Sequence, residues 1–156
     1  MIIDTPIGKC QIIYDNNFIY EVRWVNEIIE EKKYVKNNLS ETIKTQFNEY
    51  FTAKRKEFTL PVKLNIKGFF ADCLTILQQV KYGKTTTYKD IAITLGNPNA
   101  ARAVGNAMNK NPIPIIIPCH RVIGANGKLV GFRSGLNNKK WLLDFEKNNY
   151  NSLSIK

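Results

Sequence analysis

Lys110-Asn111-Pro112-Ile113-Pro114-Ile115-Ile116-Ile117-Pro118-Cys119-His120-Arg121-Val122-Ile123 decides how the rest of the chain is read. The run from Asn111 to Pro118 is uncharged and rich in Ile and Pro, too short to cross a bilayer and suited to a core. It ends by delivering Cys119, the chain's only histidine His120, and Arg121 together. A reactive thiol at the rim of a buried strand is the first expectation. Adjacent side chains on an extended segment point to opposite sides, so His120 reaches the Cys119 sulfur only through a bridging water or a turn. A lone Cys closing an Ile run is also what packing by itself would place there.

The 156 residues are enough to bury a core as one domain or as two small ones. The formal charge of +10 is unevenly spread: residues 1–67 carry 11 basic and 9 acidic side chains, residues 68–156 carry 12 and 4. The carboxyl-terminal part is therefore the expected surface for a polyanion, with solubility as the plain alternative. Cys10, Cys73 and Cys119 are odd in number and far apart. Without the paired spacing of a disulfide framework or a metal knuckle, they predict a reducing interior and no metal. Met1-Ile2-Ile3-Asp4-Thr5-Pro6 lacks the basic-then-apolar pattern of a signal peptide, and no segment approaches a membrane span. A cytoplasmic location with no membrane partner is expected.

Residues 9–14 and 18–25 are rich in Ile, Val, Tyr and Trp around Asp15-Asn16-Asn17, which predicts a β-hairpin. Glu27 to Lys36 reads as a loop or a short helix. Ser40, as N-cap, with Ile43, Phe47, Tyr50 and Phe51 behind it, predicts a helix to about Ala53. Phe70, Cys73, Leu74, Leu77 and Val80 predict a core helix over 69–82, stopped by Gly83. Thr87 to Asp90 has the spacing of a capping box and opens a short helix to Leu95. Asn97-Pro98 resembles an N-cap with Pro at the first helical position, opening a second helix through Met108 or Asn109. These two make a helix-turn-helix. Its second helix carries Ala100, Ala101, Ala103, Gly105 and Ala107, suited either to close approach of a partner or to core packing, with Arg102 as its one long cation. Asn126-Gly127 between Val122-Ile123 and Leu129-Val130 predicts a second hairpin. Gly131 to Gly135 reads as a mobile or tightly turning loop. A last helix over 137–147 is predicted to bury Trp141, Leu142 and Phe145 with Glu146 beside that face, followed by a frayed polar tail from Asn148.

Pro118-Cys119-His120-Arg121-Val122, preceded by Asn111-Pro112-Ile113-Pro114 and followed by Ile123-Gly124-Ala125-Asn126-Gly127, resembles the O6-alkylguanine-DNA alkyltransferases, also called methylated-DNA–protein-cysteine methyltransferases. Tyr82-Gly83-Lys84-Thr85-Thr86-Thr87-Tyr88, Gly96-Asn97-Pro98, Gly135-Leu136 and Trp141-Leu142-Leu143 leading to Glu146 support it. Thr5-Pro6-Ile7-Gly8 and Tyr50-Phe51 through Leu60-Pro61 extend it over nearly the whole chain. The resemblance implies an α/β protein: a ribonuclease-H-like amino-terminal domain over 1–65, a mainly helical winged helix-turn-helix domain over 66–150, and a tail over 151–156. It implies irreversible, single-turnover transfer of an alkyl group from O6-alkylguanine, and O4-alkylthymine, in double-stranded DNA to the cysteine after base flipping, by a monomer without a cofactor.

Residue by residue, the resemblance makes Cys119 the nucleophile and His120 the base acting through water. Glu146 holds the imidazole and favours its charged form, Asn111 braces the turn bearing the Cys, and Tyr88 is the donor to the leaving guanine. Arg102 fills the vacated place in the base stack, while Tyr88, Lys89, Asn97, Ala101, Gly105, Arg121 and Ala125 contact DNA. Met108, Pro114, Phe132, Arg133 and Ser134 wall the base pocket. The chemistry asks for such parts independently, because a thiol near its ordinary pKa of about 8.5 supplies little thiolate at neutral pH. Phe132 and Ser134 depart from the Tyr and Gly of many relatives, so the pocket lacks a hydroxyl and has a stiffer loop. Two rival functions fit less well. A non-enzymatic sensor of alkylated bases has no use for Cys119, and a sequence-specific regulator needs long polar side chains that the Ala/Gly-rich helix lacks.

Overall fold

The computed structural model describes residues 1–25 and 35–151. The stretch Glu27 to Lys36 thus lies almost wholly outside the described residues. Two compact units are present, Met1–Leu64 and Asn65–Tyr150.

In the first unit the expected hairpin forms β2 (Gly8–Tyr14) and β3 (Ile19–Val25), with β1 (Ile2–Thr5) added on the outer edge of β2. All pairs are antiparallel, and Ile12 faces Val22. The Asp15 carboxylate accepts from the N–H groups of Asn17 and Phe18 and so closes the turn. Helix α1 (Asn38–Phe51) starts earlier than expected. Asn37 is its cap, accepting from the Ser40 N–H at 2.8 Å, while Ser40 Oγ accepts from the Asn37 N–H at 2.9 Å. Ile43, Phe47 and Tyr50 recur at helical spacing and, with Cys10, Ile12, Ile19 and Val22, form the core of this unit. Each such side chain contributes about 1.5–3 kcal/mol of burial.

The second unit is mainly helical. Helix α2 (Phe69–Leu77) buries Cys73, Leu74 and Leu77 but ends five residues short of Tyr82. Gln79 and Val80 donate to Ile76 and Leu77, so the chain tightens into turns, and Gly83 reverses it at φ +74°. Next, β4 (Thr86–Thr87) leads into α3 (Tyr88–Thr94), whose first turn is capped by the Thr87 hydroxyl accepting from the Asp90 N–H. Helix α4 (Ala101–Asn109) completes the helix-turn-helix. It begins later than Asn97-Pro98 predicted, because the Asn97 N–H donates to the Ala92 carbonyl and Ala100 donates to the Asn97 carbonyl, which spends these residues on the turn.

The second hairpin does not form. Val122-Ile123 instead make β5, pairing parallel with β4 in the register Thr86 to Val122 and Thr87 to Ile123, and Leu129-Val130 form no strand. Asn126 at φ +62° and Gly127 at φ +76° turn the chain, which closes through Gly124 N–H to Lys128 O at 2.7 Å. Helix α5 (Leu136–Asn148) buries Lys139, Leu142 and Glu146. The expected core residues Trp141 and Phe145 are half-buried and stack at 4.7 Å between ring centres. Beyond the helix the tail is not frayed through Tyr150, whose ring covers Gly83 and carries the Lys84 ammonium 4.6 Å from its centre.

A Cβ on Gly83 would stand 2.4 Å from a Tyr150 ring carbon, at a backbone angle that L-residues resist. Gly83→Ala should therefore cost more than the roughly 1–2 kcal/mol of left-handed backbone strain. In urea unfolding, Tyr150→Ala in the same variant should recover the excess and leave the strain; no recovery would show that the ring is not what closes this position.

Candidate active site

Residues 111–118 are a compact turn and not the buried strand expected. Pro112, Pro114 and Pro118 have no N–H to give a ladder. The Asn111 side chain supplies the bracing in its place: Nδ2 donates to the Ile117 carbonyl at 2.8 Å and Oδ1 accepts from the Ile113 N–H at 3.0 Å. Ile113, Ile115 and Ile117 anchor the turn in the core, Ile115 at φ +71°, a conformation that a β-branched residue adopts only under constraint. Cys119 then opens a short 3-10 turn over Cys119–Arg121.

Of the three thiols, Cys10 and Cys73 are closed off entirely, whereas Cys119 keeps 7 % of its surface exposed. Burial pushes the Cys119 thiol up, and the Asn111 side chain, the Lys139 ammonium and Arg133 oppose that without offsetting it. The resting sulfur is thus a protonated thiol at neutral pH, and its use as a nucleophile requires a base.

His120 is fully buried, with Nε2 2.7 Å from Glu146 Oε1. Burial pulls the imidazole below its ordinary value, and the pull of Glu146 in the other direction does not restore it. The resting imidazole is therefore neutral, as a base must be, and Glu146 acts to favour its charged form. Burial also pushes the Glu146 carboxyl up, but His120 and Arg121 together outweigh it and hold the group well below the usual carboxylate range. The carboxylate is therefore an acceptor, Nε2–H donates to it, and Nδ1 carries the lone pair. That Nδ1 is buried without a protein partner, as a proton acceptor awaiting a donor would be.

Arg121, expected at the DNA, is buried. Its Nε and Nη2 donate to the two oxygens of Glu146, each at 2.9 Å, and Nη1 donates to the Val80 carbonyl at 2.7 Å. A fork of this kind orients a carboxylate bidentately, and the burial of Arg121 turns it away from the surface where a phosphate would lie. The Gly83 N–H also points at Glu146 Oε2, at 3.4 Å.

Tyr88 packs its ring against α4, where a Cβ on Gly105 would lie 3.8 Å away, and its hydroxyl donates to the Val130 carbonyl at 2.6 Å. Sequence reasoning missed Lys139. It is 1 % exposed, and its ammonium donates to Tyr88 Oη at 3.2 Å and to the Val130 and Gly131 carbonyls at 3.1 and 3.2 Å. Its spacing of three from Leu142 and seven from Glu146 was the available signal. The loop that follows turns tightly, Gly135 N–H donating to Phe132 O at 2.9 Å and the Asn138 amide reaching Ser134. Phe132 and Ser134 are half-buried and Arg133 is exposed, while Met108 and Pro114 are buried. Arg102, Lys89, Asn97 and Ala125 are exposed, with Ala101 and Gly105 partly so.

Residues 1–64 match the family described as "6-O-methylguanine DNA methyltransferase, ribonuclease-like domain", and residues 68–148 match "6-O-methylguanine DNA methyltransferase, DNA binding domain". The chain belongs to this methyltransferase family. A methylated-DNA–protein-cysteine methyltransferase of Methanosarcina barkeri is 46 % identical over 157 residues, covering 95 % of this chain and 96 % of that protein. The constitutive methylated-DNA–protein-cysteine methyltransferase of Bacillus subtilis is 35 % identical over 156 residues, with 94 % of each chain covered. Among solved structures, Mycobacterium tuberculosis OGT in complex with DNA superposes with a TM-score of 0.85 at 36 % identity, covering 95 % of this chain and 92 % of that one. The family therefore carries the ribonuclease-like α/β domain and the helical DNA-binding domain that the two units display.

Because folding lowers the His120 pKa, the unfolded chain binds more protons once the pH drops below the ordinary imidazole value of 6.5. Stability should therefore fall as the pH is lowered through that range, with Glu146 adding the same sign at lower pH. Arg121→Met removes a charge that depresses His120, so an NMR titration should find the imidazole pKa raised, alongside a stability loss of about 3–5 kcal/mol for a broken buried pair. An unmoved imidazole would show that Arg121 does not act on the base.

Proposed function

We infer that the protein repairs DNA directly, moving an alkyl group from O6 of guanine to Cys119 irreversibly and once per molecule. The observation that carries this reading is the one cysteine that is not wholly enclosed, next in sequence to a neutral imidazole whose tautomer is set by a buried carboxylate. A water between them passes the thiol proton to His120 Nδ1, and Glu146 stabilises the imidazolium that results. The thiolate attacks the alkyl carbon; the S–C bond forms as the C–O6 bond breaks, and the electron pair stays with the purine. Direct transfer of this kind balances without a cofactor.

A guanine O6 inside a duplex is out of reach of any protein sulfur, so the nucleotide is first everted. Arg102, exposed on a helix of small residues that permits close approach, holds the gap, and Lys89, Asn97 and Ala125 meet the backbone. The base enters among Met108, Pro114 and the Phe132-Arg133-Ser134 loop, with Tyr88 as proton donor to the departing ring. O4-alkylthymine presents the same alkyl–oxygen bond and is a second substrate. The protein acts as a monomer in the cytoplasm, where a reduced thiol persists.

Incubated with a duplex carrying O6-methylguanine, the protein should gain a single methyl increment by intact mass, on Cys119, and stop at one equivalent. Cys119→Ala should abolish transfer while retaining DNA binding; turnover past one equivalent, or methylation of Cys10 or Cys73, would sink the reading. Arg102→Ala should slow transfer from a duplex at least about tenfold while leaving reaction with the free alkylated base near wild type. Equal losses on both substrates would remove its place in base eversion.

A further inference from the structure

We propose that Tyr82 is a positioning residue for alkyl transfer: its ring, beneath the Arg121 guanidinium, keeps that cation where it orients Glu146 and, through Glu146, His120. The proposal rests on the reading of His120 as the base that serves Cys119.

Tyr82 is 4 % exposed, and the Arg121 guanidinium lies over its ring with Cζ 5.8 Å from the ring centre. That is within the reach at which the face of an aromatic ring attracts a cation. The residues on either side serve the same group. The Val80 carbonyl accepts from Nη1, and the Gly83 N–H points at the Glu146 oxygen that also accepts from Nε. The segment Val80 to Gly83 thus presents a carbonyl, a ring and an N–H to one buried ion pair.

The N–H donors of a guanidinium lie in its own plane, and here they run to Glu146 and to Val80. They set its rotation within that plane and leave its face to be covered by something else. An aliphatic side chain would fill the space, but only an aromatic face adds attraction for a cation that has given up its water. Burial, and after it the Glu146 charge, push the Tyr82 hydroxyl up to about 12, so the phenol stays neutral and its ring is what acts on the cation.

His120 is faced by Glu146 and, through space, by Arg121 and Lys139; the carboxylate favours the charged imidazole, and the two cations oppose it. Loosening Arg121 weakens one of those opposing charges, so the imidazole becomes easier to protonate. A base that keeps its proton at higher pH is withdrawn from the thiol over a wider acid range.

The chain has one histidine, so its titration can be followed by NMR without ambiguity. Tyr82→Leu should raise the imidazole pKa by about 0.5 and slow single-turnover transfer from an O6-methylguanine duplex about threefold on the acid side of its pH profile. Tyr82→Phe keeps the ring and should restore both. Added to Arg121→Met, Tyr82→Leu should move the imidazole no further. An unmoved imidazole in Tyr82→Leu, a shift in Tyr82→Phe as large as in Tyr82→Leu, or a further shift on top of Arg121→Met would overturn the proposal.

Where Tyr82→Leu does not fold, trifluorophenylalanine in place of Tyr82 keeps the shape of Phe while draining the negative charge from its face. It should raise the imidazole pKa relative to Tyr82→Phe; equal values would show that the ring only fills space, and would overturn the proposal. Absence of any transfer to Cys119 in the wild type would instead strike the reading of function, and the titration would still decide whether the ring acts on the imidazole.

Discussion

A carboxylate sealed inside the second unit sets the terms for everything around it. Glu146 is 1 % exposed, and a charge so placed is tolerated only when its oxygens are fully engaged. The partners arrive from two separate points in the chain: His120 and both arms of the Arg121 fork from the 3-10 turn, and the Gly83 N–H from the reversal after α2. Arg121 also takes the Val80 carbonyl, so the same guanidinium that orients the carboxylate fixes the turns that follow α2. The tautomer of the only histidine is thus a consequence of packing.

Helix α5 carries a second buried charge two turns earlier. Lys139 meets two carbonyls and a phenol oxygen where Glu146 meets a guanidinium and an imidazole. One helix face therefore places an anion behind the base and a cation behind the tyrosine. The ammonium favours the thiolate at a distance, while the carboxylate favours the charged form of the imidazole. Burial nevertheless keeps the resting sulfur protonated, so any nucleophilic use of it depends on a base.

Placement of that sulfur depends on three prolines and one asparagine. The prolines deny the Ile-rich segment a β-ladder, and Asn111 ties Ile113 to Ile117 so that the chain turns sharply before Cys119. The outcome is a cysteine at the surface edge of a core, 7 % exposed, against two others that are wholly enclosed. Ile115 at positive φ marks the strain stored in this turn, held by burial of its side chain and its neighbours.

Much of this was written in the sequence. Runs rich in Ile, Val, Tyr and Trp set the hairpin, the faces of α1 and α2 followed from helical spacing, and Cys119 beside the only histidine pointed to thiol chemistry, with Asn111, Tyr88 and Glu146 joined to them by the family resemblance. These features are local, or carried by side-chain type, and the hydrophobic period imposes them wherever the segment folds. Tertiary structure alone decided the rest: that Val122-Ile123 pair with Thr86-Thr87 and not across Asn126-Gly127, that Arg121 turns inward, and that Lys139 is a buried cation. The acceptors of Arg121 lie 25 and 41 positions away, and Lys139 joins Tyr88, 51 positions off, to two carbonyls 8 and 9 positions away. No local pattern encodes those distances, because the free energy of a buried charge is set by what surrounds it once the chain has closed.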